Sequence, residues 1–136
     1  MRNFTKVPLA GIVIAALFAG LVYLFAWSSI FSVSTVHITG APTPETEKSI
    51  SQIADVSTGQ KLARVEPRAI AHRIEHLTWI ESVDISRNWI SGKVEIIVIP
   101  RTPSAYFNGS TIDASGTIFT LPGFTGGDLP RVSAPT

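Results

Sequence analysis

The chain has 136 residues, of which 45% are hydrophobic, with no cysteine and a formal net charge of +1. This length accommodates one small domain beside a membrane anchor, and the lack of cysteine excludes disulfides and thiolate metal sites. The nearly balanced charge leaves no electrostatic footprint for nucleic acid, so nucleic acid is not an expected partner.

The first predicted element is a transmembrane helix over Leu9–Phe31, a run of 23 residues without Asp, Glu, Lys, Arg or His. Such a helix would reach roughly 34 Å, against a hydrocarbon core of about 30 Å. One charge at its centre would cost roughly 2.5–3.5 kcal/mol, so the uncharged composition favours a membrane span. The residues predicted to anchor it in the membrane are Leu9, Ile12, Ile14, Leu17, Phe18, Leu21, Tyr23, Phe25 and Trp27.

Arg2 and Lys6 predict the orientation of this helix. Both precede the apolar run and no acidic residue does, so the positive-inside rule places residues 1–8 in the cytoplasm as a short tail. The rest of the chain, with nine basic and ten acidic residues, is then extracytoplasmic. The alternative is a cleaved signal peptide, which we disfavour because its apolar region would run about 7–15 residues.

Residues 32–100 are predicted to form a β-α-α-β-β domain, which places the chain in the α+β class. The β-branched residues of Phe31–Ile38 indicate a first strand, and Gly40 is expected to end it. A first helix is predicted to follow, with Thr43 as its N-cap and Pro44 at its first helical position.

A second helix is predicted over about Pro67–Leu77, because Ile70, Ile74 and Leu77 share one apolar stripe. The segment Lys93–Ile99 is the most continuously apolar strand, so we expect it at the centre of the sheet and buried on both faces.

The strand at about Glu81–Arg87 is predicted to lie beside that central strand, at a sheet edge. The unpaired N–H and C=O groups of an edge strand can add a partner strand by β-augmentation. Charge reversal at both Asp84 and Arg87 is expected to spare the fold while disturbing such a partner. The alternative is an ordinary protected edge without a partner. The candidate partner-binding residues are Ser82, Val83, Asp84, Ile85 and Arg87.

Residues 101–121 are predicted to form a partial β segment, and residues 122–136 an irregular tail. Two short strands, near Thr111–Ile112 and Thr117–Leu121, flank a turn at Asp113–Gly116. A lone two-stranded hairpin is only marginally stable, so it must continue the preceding sheet or pack on it. The residues predicted to make contacts in this segment are Ile112, Asp113, Gly116, Ile118 and Phe119.

The string His72-Arg-Ile-Glu75-His76 matches the H-x-x-E-H pattern of inverted zinc peptidases. Both histidines fall opposite the apolar stripe of their helix and are expected to face solvent, whereas a catalytic zinc needs a third ligand and a shaped cavity. We therefore predict no catalytic residue, metal, cofactor or small-molecule substrate, and keep a zinc hydrolase as the disfavoured alternative. Trp79 and Trp89 are interpreted as packing residues of the core or a sheet edge, with binding aromatics as the alternative.

Several segments resemble the cell-division protein family FtsQ/DivIB, in the family's order and over roughly residues 9–121. The resembling segments are Phe31–Gly40 (opening strand), Thr78–Ile85 ("PW(V/I)xxaxV" strand), Arg87–Trp89 ("RxWP" turn), Arg101–Pro103 ("ERxP" exit) and Ile112–Phe119 ("vDxxGxvF" segment). Three positions depart from the family pattern: Thr78 and Ile90 replace Pro, and Pro100 replaces Glu. These are loop and exit positions, which are not expected to change the fold.

The resemblance implies a single-pass, type II membrane protein with a POTRA domain and the start of a β domain. It further implies a non-catalytic scaffold in the inner or plasma membrane at the division septum. Its partners would be bitopic division proteins of the FtsB and FtsL type and the septal peptidoglycan synthesis machinery. The alternative is an anchored POTRA-like adaptor for protein export or envelope assembly.

The family carries a full β domain where this chain has 36 residues after Pro100. The chain therefore looks short or truncated, and we expect it to bind an FtsB-type partner weakly or not at all. The alternative is that Thr117–Leu121 itself serves as the docking edge.

Overall fold

A computed structural model describes residues 8–133 of the chain. Arg2 and Lys6, on which the predicted orientation rests, lie outside the described residues. The helices are α1 (Leu9–Trp27), α2 (Pro44–Ala54) and α3 (Pro67–Glu75). The strands are β1 (Thr35–Thr39), β2 (Ile80–Arg87), β3 (Lys93–Pro100), β4 (Ala105–Phe107), β5 (Ser110–Ile112), β6 (Ile118–Phe119) and β7 (Arg131–Val132). The predicted α+β class and the β-α-α-β-β order after an apolar helix are confirmed.

The apolar helix α1 ends at Trp27, four residues before the predicted end at Phe31. Ser28 has extended backbone angles, and its hydroxyl accepts a hydrogen bond from the N–H of Ile30, which starts a short 3-10 turn. At 19 residues, or about 28 Å, α1 remains long and apolar enough to cross a membrane. None of its residues is buried against the described part of the chain, and its surface is apolar all round, which suits a lipid environment.

The segment of residues 32–100, called here the main domain, contains a three-stranded sheet in the order β1-β3-β2. β3 pairs parallel with β1 and antiparallel with β2, so the predicted central strand and edge strand are both in place. A parallel neighbour requires a crossover connection, and α2 and α3 supply it.

The helices cover one face of this sheet, where Val94, Ile96 and Val98 of β3 are almost completely buried. On the opposite face Ile97 and Ile99 are 38% and 51% exposed. The prediction that β3 is buried on both faces is therefore wrong, because the described chain supplies a helical layer to one face alone.

Local signals set the helix ends. The Thr43 hydroxyl accepts a hydrogen bond from the N–H of Thr46, and the Thr46 hydroxyl oxygen accepts one from the N–H of Thr43, at 3.3 Å and 3.0 Å. This reciprocal cap confirms the predicted start of α2. α3 ends at Glu75, two residues before the predicted end, where the N–H of Leu77 turns back to the carbonyl of Ile74.

A second, four-stranded sheet follows in the order β6-β5-β4-β7. The predicted hairpin is present as β5 and β6, and it packs on the main domain instead of extending its sheet, since Phe119 is 2% exposed within the core. The irregular tail predicted for residues 122–136 needs correction, because β7 pairs parallel with β4. Neither β4 nor β7 was predicted, since two or three residues are too few to show an alternating pattern.

Gly40 is fixed by a close approach to the central strand. Its φ is +88°, and a Cβ atom there would lie 1.8 Å from the carbonyl oxygen of Val98. Gly59 has a similar φ of +87° but open space around it. The two glycines therefore share a backbone requirement and differ in packing.

We predict that Gly40→Ala destabilises the protein far more than Gly59→Ala. Both substitutions place a Cβ atom on a residue with left-handed backbone angles, which should lower the free energy of unfolding by about 1–2 kcal/mol. Gly40→Ala must in addition push β3 away from the loop. Urea unfolding of the full chain in detergent micelles, followed by tryptophan fluorescence, measures both. Equal losses of stability would show that the contact with Val98 is unimportant.

Candidate functional site

The outer strand β2 presents two chemically different faces. Asp84 and Ser86 are exposed and Ser82 is half-buried, whereas Val83 and Ile85 pack against the core. Within residues 8–133, β2 has a strand neighbour on one side alone. Its free side therefore offers backbone N–H and C=O groups to an added strand.

Arg87 does not belong to this exposed face. Its Nη1 donates hydrogen bonds to the carbonyl oxygens of Leu62 and Val65 at 3.0 Å and 2.6 Å. Its guanidinium also lies 5.0 Å from the ring centroid of Trp89. Against the expectation from the sequence that charge reversal here spares the fold, we expect a reversal at Arg87 to destabilise it, because these carbonyls would lose their donor. The inward position of Arg87 could have been predicted from the sequence. Side chains two residues apart in a strand lie on the same face, and Ile85 faces inward.

Next to the free edge of β2, the face of the sheet that points away from the helices carries exposed apolar side chains. The sequence did not predict this surface. Asp84 is paired in register with Ile97, and Ser82 with Ile99. We call these four residues the outer patch. It combines two exposed isoleucines with a carboxylate and a hydroxyl, which is the mixed character of a protein-binding surface.

The turn between β5 and β6 is organised by one carboxylate. Oδ1 of Asp113 accepts hydrogen bonds from the Ser115 hydroxyl at 2.6 Å and from the backbone N–H groups of Ser115 and Thr117, both at 2.9 Å. Gly116, at φ +84°, closes the turn. Of the predicted contact residues, Asp113 and Gly116 therefore build the turn, Phe119 enters the core, Ile112 is half-buried and Ile118 is 53% exposed.

Arg101 connects this turn to the main domain. Its Nη1 donates to Oδ2 of Asp113 at 2.7 Å, and its Nε donates to the carbonyl oxygen of Thr78 at 3.0 Å. Its backbone N–H donates to the carbonyl oxygen of Trp79 at 2.8 Å. Asp113 and Arg101 therefore position the second sheet on the first.

Lys61 joins α1 to the main domain. Its Nζ donates to the carbonyl oxygens of Trp27, at 3.1 Å, and Ser28. These carbonyls lie at the C-terminal end of the helix, where the partial negative charge of the helix dipole favours a cation. Next to this contact the Phe31 ring stacks on Phe25, with centroids 5.2 Å apart. No pattern in the sequence predicted this contact of Lys61.

The candidate zinc pair remains at the surface. His72 and His76 are exposed, with their ring centroids 4.9 Å apart. Among residues 8–133, no three His, Cys, Asp or Glu side chains are grouped as metal ligands would be. The H-x-x-E-H pattern therefore gains no third ligand in the described chain.

We predict that Arg87→Glu lowers the free energy of unfolding by at least about 2 kcal/mol, because charged hydrogen bonds to two carbonyls contribute roughly 1.5–3 kcal/mol. The matched reversal Asp84→Lys should change it by less than about 0.5 kcal/mol, as expected at an exposed position. Urea unfolding of both variants in detergent micelles tests this. Similar losses in the two variants would contradict the inward role of Arg87.

We also predict acid sensitivity from Asp113. The hydrogen bond from the Ser115 hydroxyl is the largest of several that hold the pKa of Asp113 well below its usual range. Desolvation of the carboxylate acts in the opposite direction and raises the pKa by less. A folded-state pKa below the unfolded value of about 3.9 contributes stability above that pH, and this stability is lost as the pH falls through the folded value.

The unfolding free energy should therefore fall as the pH drops below about 4, and Asp113→Asn should flatten this dependence while lowering stability at neutral pH. Ser115→Ala, which keeps the carboxylate and removes one donor, should give an intermediate slope. Urea unfolding at a series of pH values measures it. An Asp113→Asn slope identical to the parent slope would refute the prediction.

Comparison with known proteins places this geometry in a family. Residues 31–99, which begin at the junction with α1 and end within β3, match the family model described as "POTRA domain, FtsQ-type". A solved structure, POTRA1-2 of the periplasmic domain of Omp85 from Anabaena, aligns with 55% of this chain and 50% of its own length, at 21% identity and a TM-score of 0.47.

The chain is also similar to the Cell division protein FtsQ of Salinibacter ruber (strain DSM 13855 / M31), with 27% identity over 139 aligned residues. The alignment covers 96% of this chain and 52% of the relative, so the chain spans about half the length of that protein. The matched family model covers about half of the chain and contains the whole three-stranded sheet except the last residue of β3. This protein therefore belongs to the FtsQ-type POTRA family, as the sequence resemblance predicted.

Proposed function

We propose that the protein is a non-catalytic adaptor that holds other bitopic division proteins at the septum. The observation that carries this proposal is the FtsQ-type POTRA match beginning at residue 31, directly after a helix suited to cross a membrane. A helix in the membrane confines the domain to a thin layer beside it, which raises the effective concentration of binding surfaces on neighbouring anchored proteins.

The proposed topology has the N-terminus in the cytoplasm and the main domain outside. Arg2 and Lys6 support it through the positive-inside rule. The proposed partners are small bitopic proteins of the FtsB and FtsL type, together with the machinery of septal peptidoglycan synthesis. Family membership supports this class of partner, and the name of the Salinibacter relative supports the division process.

The proposed partner-binding surface is the free edge of β2 together with the outer patch. The edge supplies backbone groups, which bind any extended strand, while side chains at alternate positions select among strands. Asp84 is the exposed charge at the centre of β2, and Ile97 lies beside it. Arg87 is left out of this surface, because it binds carbonyls of the main domain.

The test is a fluorescent protein fused to the N-terminus of the full chain, imaged in dividing cells of the organism that encodes it. We expect fluorescence at midcell. Asp84→Lys should move much of that signal to the whole membrane, because the reversed charge disfavours the bound strand.

The matched control is Glu45→Lys, an exposed reversal on α2 away from the sheet edge, which should keep the midcell signal. Uniform membrane fluorescence of the parent fusion would contradict the division function. Midcell fluorescence that is equal for Asp84→Lys and Glu45→Lys would contradict the docking surface and leave the division function standing.

A further inference from the structure

The hairpin between β2 and β3 has large hydrophobic side chains exposed at its tip. Its tip, residues 88–92, presents Ile90 with 97% of its surface exposed and Trp89 with 42%. Ile30, in the short turn after α1, is 73% exposed.

The contacts of Lys61 set the height of the main domain relative to the end of α1. Trp27 and Ser28, whose carbonyls it binds, are the last residue of α1 and its C-cap. If α1 crosses the membrane, this end lies at the boundary between hydrocarbon and headgroups, where Trp is enriched. The loop that carries Lys61 must then lie at the same level.

Aromatic contacts bring the tip to that level as well. The Trp89 ring meets the edge of Phe31 with a centroid distance of 6.3 Å, and Phe31 stacks on Phe25 of α1. The guanidinium of Arg87 also lies over the indole, 5.0 Å from its centroid. Trp89 is therefore linked through Phe31 to the last turn of α1, and the adjacent Ile90 has nothing over it in the described chain.

A surface groove of about 500 Å³ separates the end of α1 from the main domain. Its wall is mainly apolar, and exposed Arg64 stands at its margin beside Lys61. Apolar surface bordered by cations matches a phospholipid, whose acyl chain and phosphate need these two environments side by side. The residues that carry this character are Phe25, Trp27, Phe31, Lys61, Arg64 and Trp89.

We propose that the hairpin tip and this groove form a second contact with the membrane that α1 crosses, in which Ile90 inserts among the phospholipids of the outer leaflet. The inference rests on α1 spanning the membrane. Trp89 lies at headgroup level and Arg64 faces lipid phosphate. From the tip to Glu81, β2 runs about 20 Å at about 3.3 Å per residue, so the start of β2 is carried away from the lipid surface.

The experiment uses the full chain, which has no cysteine of its own, reconstituted into vesicles of phosphatidylcholine and phosphatidylglycerol. A nitroxide label is attached at one of three introduced cysteines: Ser91→Cys at the tip, Glu81→Cys at the far end of the same strand, or Ala16→Cys in α1. Collision with oxygen, which concentrates in lipid, and with a water-soluble nickel chelate reports the depth of each label. Ile90→Ser and Ile90→Leu are then added to the Ser91→Cys chain.

We expect the Ala16 label in the hydrocarbon, the Ser91 label at the interface and the Glu81 label in water. Ile90→Ser should shift the Ser91 label to the aqueous value of Glu81, whereas Ile90→Leu should leave it at the interface. A Ser91 label as aqueous as that at Glu81, with Ala16 in lipid, would overturn the proposal alone. An unchanged Ser91 depth in Ile90→Ser would overturn it too, because Ile90 would then not be inserted. An aqueous Ala16 label would overturn both the anchor and this contact, independently of midcell recruitment.

Discussion

The architecture depends on the position of β3 between two strands that it meets in opposite ways. It is parallel to β1, so α2 and α3 must form the crossover between them, and antiparallel to β2, so a tight hairpin suffices there. The same strand places Val94, Ile96 and Val98 under the helices. Its Val98 carbonyl leaves space for no side chain at residue 40. The helical layer, the close loop and the free outer strand all follow from this one placement.

The second sheet depends on the first in a different way. Its strands are two or three residues long in β4 to β7, too short for an independent sheet. Phe119 supplies the apolar contact with the core, and Asp113 with Arg101 supplies the polar one. The segment is thus an extension whose order comes from the main domain.

Much of this fold could be predicted from the sequence, because its signals were local. Thr43 and Pro44 predicted the start of a helix, and Asp113 and Gly116 predicted a turn. The errors arose where the outcome depends on what lies opposite. The apolar sequence of β3 does not show whether one or both faces of the sheet are covered by another layer of the protein. Ile97 and Ile99 were therefore assigned to the core. Likewise, the contacts of Arg87 and Lys61 join residues more than twenty positions apart, for which the sequence offers no periodic sign.

The parallel pairing of β1 with β3 also determines how the domain would respond to a pulling force applied through α1. β1 begins a few residues after the anchor and runs away from it, matched to β3 over five register pairs from Thr35 with Lys93 to Thr39 with Ile97. A force drawn through α1 acts along these strands, so the hydrogen bonds between them are sheared together and do not unzip one at a time. The connection between anchor and domain is thus arranged in the direction in which a β ladder resists load best.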